Sequence, residues 1–405
     1  MKNIIFSLKI SRILYILLLI ATPFLLLQNY LQSAIGKLSD YTFKIASLDI
    51  PLTLSVVFFI VIVVLTFSWK KINLLRSLSW VAVILLFWIG QKTTDFYFNH
   101  KFYELQYNWH YFAYSIFAFI NYHYLKEKNR PDYKIILLTF ISALEISTLD
   151  EFLQIPLSNR IFDLGDVAKD LWGTLIGLFF IYFILENGKI FKNKWRFRQK
   201  KIKEYLKSPV ALFVFLFIIS YIFMLVSSVL TDTEYLIQAI MITLFLSIAI
   251  LSLIHLTQFS RAKYFIIVIF GLAFTLLIFS FIKNYDKNIS YSKNSILIYK
   301  GIPIVYFDVI IYPNGMFRIV DKKTSFNMRD QQTIWANSEN IIVVASGQEG
   351  KGAKGLRSSN EIHFEFDKTK GRGIQIIPQK NSDAVKTFNR LKSDSKRPLL
   401  IYNNN

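Results

Sequence analysis

Long apolar runs recur along the chain up to residue 282, and a run of about 20 apolar residues is what a helix needs to cross roughly 30 Å of hydrocarbon. Nine can be counted, at 11–29, 50–68, 74–91, 109–125, 134–152, 166–186, 208–230, 235–258 and 264–282. Only 18% of the 405 residues are charged, against about a quarter in soluble domains. A single water-soluble core is therefore excluded. The expected fold is an all-α polytopic bundle of about nine spans followed by a small soluble α+β domain.

Basic residues in short loops set the orientation of such a bundle. With the N-terminus inside, the inner segments 1–12, 69–76, 126–134, 187–207 and 260–263 hold 21 Lys and Arg, and the outer loops hold 5. The net charge of +20 is then the charge of cytoplasmic loops. No basic motif with interleaved aromatics points to nucleic acid. The stretch 189–207 reads as a stop-transfer anchor on the anionic inner leaflet. The basic N-terminus before the first run lacks a small-residue cleavage site, so that run is expected to stay as a helix. Cysteine is absent, which removes disulfides and thiolate chemistry. Nine spans place the C-terminal domain outside, in or on a bacterial cytoplasmic membrane.

The chain divides into a six-span block (1–186), a basic loop (187–207), a three-span block (208–282) and a soluble domain (290–405). In the last, Ser295–Lys300 and Ile304–Tyr312 read as strands. Pro313-Asn314-Gly315 reads as a hairpin turn, since Asn and Gly tolerate positive φ, with Met316–Val320 as the return strand. Arg329–Asn337 reads as a short helix, Asn340–Ala345 as a buried strand and Ser346–Ser359 as a loop. Glu361–Asp367 and Gly373–Pro378 read as strands, Ser382–Leu391 as a helix N-capped by Ser382, and Pro398–Tyr402 as the strand that closes the sheet. The Asp308–Gly315 hairpin, the strand ending at Ser346-Gly347 and the segment Asp383–Leu391 resemble the Mth938-like domain family. That resemblance implies a binding or assembly module.

The densest polar cluster spans 145–177: Glu145, Asp150, Glu151, Gln154, Arg160, Asp163, Asp166 and Asp170, then Gly173 and Gly177. Asp166, Asp170, Gly173 and Gly177 fall three or four apart, on one helix face. A carboxylate at the centre of a span costs about 2.5–3.5 kcal/mol, so Asp170 requires a partner. Arg160 is the expected one and Lys169 the alternative. His110, with Tyr114 one turn further in, reaches the same membrane boundary. A His, an Arg and several carboxylates at one boundary are equipped for acid–base work, metal binding or headgroup binding. Equally, they can pin helix ends together. Gly173-x-x-x-Gly177 reads as a close helix contact. No metal-spaced His pair and no phosphate-cradling loop occur, and no cofactor is expected.

The spacing His110-Tyr111-x-x-Tyr114, then Glu151-x-x-Gln154, Arg160, Asp166, Gly173 and Gly177, resembles the VanZ-like membrane proteins, named after a teicoplanin-resistance protein. The match covers roughly 80–186. It departs from the family pattern at Gln106-Tyr107, where the family has Asp-Lys, and at Asp170, where it has Asn. The resemblance implies an outer-face role that lowers exposure to lipoglycopeptides such as teicoplanin. The expected partners are membrane lipids and a lipid-linked envelope precursor or an envelope protein. In the leading reading an outward polar pocket binds such a headgroup, with Arg160 on its anionic group, Glu151, Asp166 and Asp170 shaping the wall, and His110 titrating. Two rivals are a hydrolase or transferase using His110 with a carboxylate, and an assembly scaffold acting through residues 290–405.

Overall fold

The computed structural model describes residues 2–26, 41–45, 48–52, 73–94, 105–156, 162–191, 201–230, 236–284, 287–293, 295–305, 307–320, 340–351, 363–367 and 371–404, with a few isolated positions between 37 and 66. The molecule is mostly helical, with a separate strand-rich region. It divides into two compact units. One is built from the helices between Lys2 and His255, and the other runs from Leu256 onward and includes Leu230, which bridges to Ile319.

The first unit holds α1 (Lys2–Leu26), α2 (Leu74–Thr94), α3 (Leu105–Glu127), α4 (Asp132–Gln154), α5 (Leu164–Phe179, continued by a π-helical turn Phe180–Leu185), α6 (Pro209–Val229) and α7 (Leu236–Leu256). A short hairpin of β1 (Thr42–Ile45) and β2 (Leu48–Pro51) lies between α1 and α2 in sequence. Among the described residues five helices are long and apolar enough to span a membrane: Leu74–Thr94, Leu164–Leu185, Pro209–Ser228, Leu236–Leu256 and Ser260–Asn284. α3 and α4, at 23 residues each, reach about 35 Å at 1.5 Å per residue, but polar residues dilute their apolar character. The run 50–68 lies largely outside the described residues.

Local chemistry sets the turns. Asn129 takes a left-handed φ of 53° at the end of α3, a conformation Asn tolerates better than most residues. Pro131 then precedes the first residue of α4 with an extended backbone. α5 is the axis of the unit: every residue from Asp170 to Leu178 is buried, the polar Asp170 and Thr174 included.

Contacts along the helices fix their directions. Arg12 of α1 lies 5.0 Å from the Tyr124 ring, at the far end of α3, while Leu19 and Thr22 lie near His110. Arg76 Nε of α2 donates to Ile184 O at 2.9 Å, and Thr94 Oγ1 sits 2.9 Å from Tyr111 Oη. α1 and α2 thus run the same way. The α3–α4 turn with Lys126, Lys128, Arg130 and Lys134 sits at the opposite end from His110, as does Arg76. That basic end is pinned by Lys126 on Asp132 (3.5 Å) and Glu186 (3.6 Å), and by a short Tyr122–Glu186 hydrogen bond.

The second unit begins with α8 (Ser260–Asn284), which has no buried residue. A three-stranded antiparallel sheet follows: β3 (Ile289–Lys293), β4 (Ile296–Tyr299) and β5 (Ile302–Val305). A six-stranded mixed sheet contains β6 (Asp308–Ile311), β7 (Phe317–Val320), β8 (Ile341–Ala345), β9 (His363–Asp367), β10 (Arg372–Gln379) and β11 (Leu399–Tyr402), ordered β7-β6-β11-β8-β10-β9. α9 (Asn381–Ser393) packs Ala384 and Phe388 on one face, against Val309, Val343 and Tyr402. Ile310, Ile342, Val344 and Ile401 are buried on the other face. Burial on both faces explains why these strands are continuous apolar runs rather than alternating ones.

Four expectations change here. Ile304–Tyr312 is not one strand: it divides between β5 and β6, in different sheets. Pro398–Tyr402 does not close the sheet, because β11 lies inside it, parallel to β8 and antiparallel to β6. Ser382 is not the N-cap of α9. Lys380 holds that position without a side-chain hydrogen bond, and Asn381 ties the helix start by accepting from Gly347 N (2.9 Å) and donating to Asn403 O (2.6 Å). β3 adds a strand before the expected ones. The Asn314-Gly315 turn forms as expected, with Gly315 at φ 87° and Tyr312 N donating to Met316 O at 2.8 Å. The expected helix Arg329–Asn337 lies outside the described residues.

Candidate functional site

The site is made by three helix ends meeting at the end of the first unit away from its basic turn. On α4, Ser147, Glu151 and Gln154 recur at spacings of four and three, which puts them on one stripe facing α5. α5 contributes Asp166 and Asp170, and α3 contributes His110 and Tyr114. Gly173 and Gly177 bring α3 and α5 together. A Cβ on Gly173 would stand 2.8 Å from Tyr111 Cα, and one on Gly177 2.6 Å from Ser115 O. The backbones thus touch, and Ser115 Oγ donates to Gly173 O at 2.8 Å.

That approach delivers His110 to Asp170. His110 Nδ1 lies 2.9 Å from Asp170 Oδ1, and Ser147 Oγ donates to Asp170 Oδ2 at 2.6 Å. The Asp170 side chain is 3% exposed and that of His110 27%. Desolvating an acid is tolerable only when its oxygens are filled, and both are filled here. The partner of Asp170 is therefore His110, from sixty residues earlier. Lys169, the alternative expected from the sequence, turns instead to Asp166, with Nζ to Oδ1 at 2.8 Å. Arg160 lies outside the described residues. The second ring nitrogen, His110 Nε2, stands 3.8 Å from Asp166 Oδ2. The ring is held between two carboxyl groups, and when Nδ1 carries the proton Nε2 presents a lone pair.

A second set of contacts ties the α4–α5 connection. Asp163 caps α5, its Oδ1 accepting from Gly165 N at 2.7 Å. Glu151 Oε2 accepts from Asp163 N at 2.9 Å. Gln154 Nε2 donates to Asp150 Oδ2 (3.3 Å) and Glu151 Oε1 (3.4 Å). Glu151 and Gln154 are both buried.

These groups surround a cavity of about 90 Å³ lined by Leu19, Thr22, Trp109, His110, Ala113, Tyr114, Asp150, Glu151, Gln154, Asp166 and Asp170. It has room for several waters and is well below the roughly 300–1,000 Å³ of a pocket that encloses a whole drug-sized ligand. Only the polar tip of a larger molecule fits. Tyr114 Oη and Asp150 Oδ1 are buried in this wall with no hydrogen-bond partner among the described residues.

Of the residues singled out in the sequence, His110, Tyr114, Glu151, Gln154, Asp166 and Asp170 line the cavity. Asp163 stands behind Glu151, and Gly173 and Gly177 set the helix spacing. Ser147 and Trp109 were not singled out. Ser147 carries a signal, lying one turn before Glu151 on the same stripe; Trp109 carries none. No protein-family model, characterised protein or solved structure matches the chain, so its role is read from the geometry of this site and the sequence pattern around it.

Proposed function

We propose that the chain is a VanZ-like envelope protein of about nine spans, whose polar cavity opens at the outer face of a bacterial cytoplasmic membrane and binds the headgroup of a lipid-linked envelope component. One observation carries this reading: placing a buried acid, a histidine and two unpartnered polar atoms around a small cavity at a helix-bundle end is costly for packing alone. Orientation follows from charge, because the basic residues gather at the opposite end of the unit, which the positive-inside rule places in the cytoplasm. The parallel course of α1 and α2 supports a further span between them, within 50–68. The strand-rich domain, with its resemblance to Mth938-like modules, is read as a binding or assembly module on the outer side.

The test is teicoplanin susceptibility of a sensitive bacterium producing the full chain. The reading expects reduced susceptibility that His110→Gln and Asp170→Asn abolish at unchanged protein levels. Wild-type protein that leaves susceptibility unaltered would remove the link to lipoglycopeptides.

The His110–Asp170 pair favours a second, catalytic reading. A buried acid on Nδ1 orients the ring so that Nε2 faces the cavity, the geometry of a general base acting on water or a headgroup hydroxyl. That reading requires turnover of a headgroup ester, lost in His110→Ala and retained in Gly271→Ala, where an added Cβ meets nothing within 4 Å.

A further inference from the structure

We infer that the group the cavity takes is a protonated amine, not the anionic part of a headgroup; this rests on the headgroup-binding reading above. Four carboxyl side chains line the space: Asp150, Glu151, Asp166 and Asp170. Two bases stand beside them. His110 is engaged by Asp170 at 2.9 Å, and Lys169 by Asp166 at 2.8 Å. Asp150 and Glu151 have no basic partner within 4 Å among the described residues; the donors that reach them are the Gln154 amide and Asp163 N. Acids desolvated beside other acids must either keep a proton or meet a positive charge, and a bound ammonium supplies that charge.

The cavity wall supplies what an ammonium needs. Asp150 Oδ1 is an unused acceptor, and Tyr114 Oη, on a side chain 4% exposed, is another. Leu19, Ala113 and the Trp109 ring add an apolar collar for the carbon that bears the nitrogen, with aromatic faces that attract cations. Among the described residues no three His or acidic side chains are arranged to hold a metal ion. The volume of about 90 Å³ admits an aminoethyl tip and excludes a whole sugar-phosphate. The amine is carried either by a lipid headgroup or by a small soluble compound.

Native mass spectrometry of the full chain in detergent tests this with phosphatidylethanolamine, its N-acetylated form, phosphatidylglycerol, free ethanolamine and sodium chloride as probes. Binding of phosphatidylethanolamine is expected to weaken at least tenfold on N-acetylation. It is also expected to weaken roughly tenfold in Asp150→Asn and in Glu151→Gln, as loss of a charge-assisted hydrogen bond implies. Competition by millimolar ethanolamine assigns a soluble amine, and its failure to compete assigns a lipid. The wild-type comparison of the two lipids needs no folded variant. Equal binding of the acetylated lipid, or displacement by sodium alone, overturns the amine. Phosphatidylglycerol binding that is lost in His110→Gln overturns the amine and keeps the headgroup reading. Absence of binding by every lipid overturns both.

Discussion

Replacing Gly177 by Ala is expected to destabilise the first unit by about 1–3 kcal/mol, the usual range for forcing extra volume into a packed core. The added Cβ would stand 2.6 Å from Ser115 O, 2.7 Å from Ser115 Cα and 2.9 Å from Ala118 Cβ. Ordinary carbon contacts are about 3.5–4.0 Å, and two of these three atoms are backbone, which cannot swing aside. α3 and α5 must separate, which also stretches the Ser115–Gly173 bond of 2.8 Å. Against this stands the helix propensity of Ala, about 1 kcal/mol better than Gly, so the clash prevails. The assay is detergent-titrated unfolding of the full chain in mixed micelles, followed by tryptophan fluorescence. Gly271→Ala is the control, because nothing lies within 4 Å of a Cβ there; it should be neutral or mildly stabilising. If Gly177→Ala unfolds no more easily than Gly271→Ala, the close approach of α3 and α5 is not what holds the site together.

Asp170→Ala, which orphans His110 Nδ1 and Ser147 Oγ, is expected to lose about 1.5–3 kcal/mol in the same assay. Asp166→Ala, which breaks an ion pair whose two side chains are only 24% and 18% exposed, should lose about 1–2 kcal/mol, between the cost of a surface pair and that of a buried one. In the strand-rich unit, Asn381→Ala removes the acceptor of Gly347 N and the donor to Asn403 O. It should lose about 1–3 kcal/mol per orphaned group, read as faster hydrogen exchange around Gly347. Burial pushes the Tyr299 phenol from the usual 10 up to about 12. The folded form then holds its proton after the unfolded form has released it, so this contribution to stability is intact below pH 10 and is lost as pH rises toward 12. Tyr299→Phe should flatten that alkaline decline in thermal unfolding.

Hydropathy located α2 and α5 to α8 because a span writes its length into the sequence. Periodicity also put Asp166, Asp170, Gly173 and Gly177 on one face of α5 whatever they touch, but Ser147, one turn before Glu151 on α4, was passed over. What it could not supply was the neighbour. Asp170 was expected to pair with Arg160, the only basic residue of its loop, or else with Lys169, whereas its partner His110 reaches it through a contact between α3 and α5 that no local pattern encodes. The same gap separates strand detection from sheet assembly. β11 was seen as a strand, but its place between β6 and β8 depends on pairing over long sequence separations. Ile304–Tyr312 lacked the Gly or Pro that usually marks a break, so two strands read as one. At α9, Ser382 matched the N-cap preference, but Asn381 was already tied to Gly347 and Asn403, and the helix began one residue earlier.

The central claim, that the cavity faces outward, is open to direct measurement because the chain has no cysteine. Pro156→Cys, at the cavity end of α4, and Glu127→Cys, at the basic end of α3, each give a single reactive site. A membrane-impermeant maleimide added to intact cells should label Pro156→Cys and should reach Glu127→Cys only after permeabilisation. Labelling of Glu127→Cys in intact cells, with Pro156→Cys protected, would put the cavity in the cytoplasm and contradict the account.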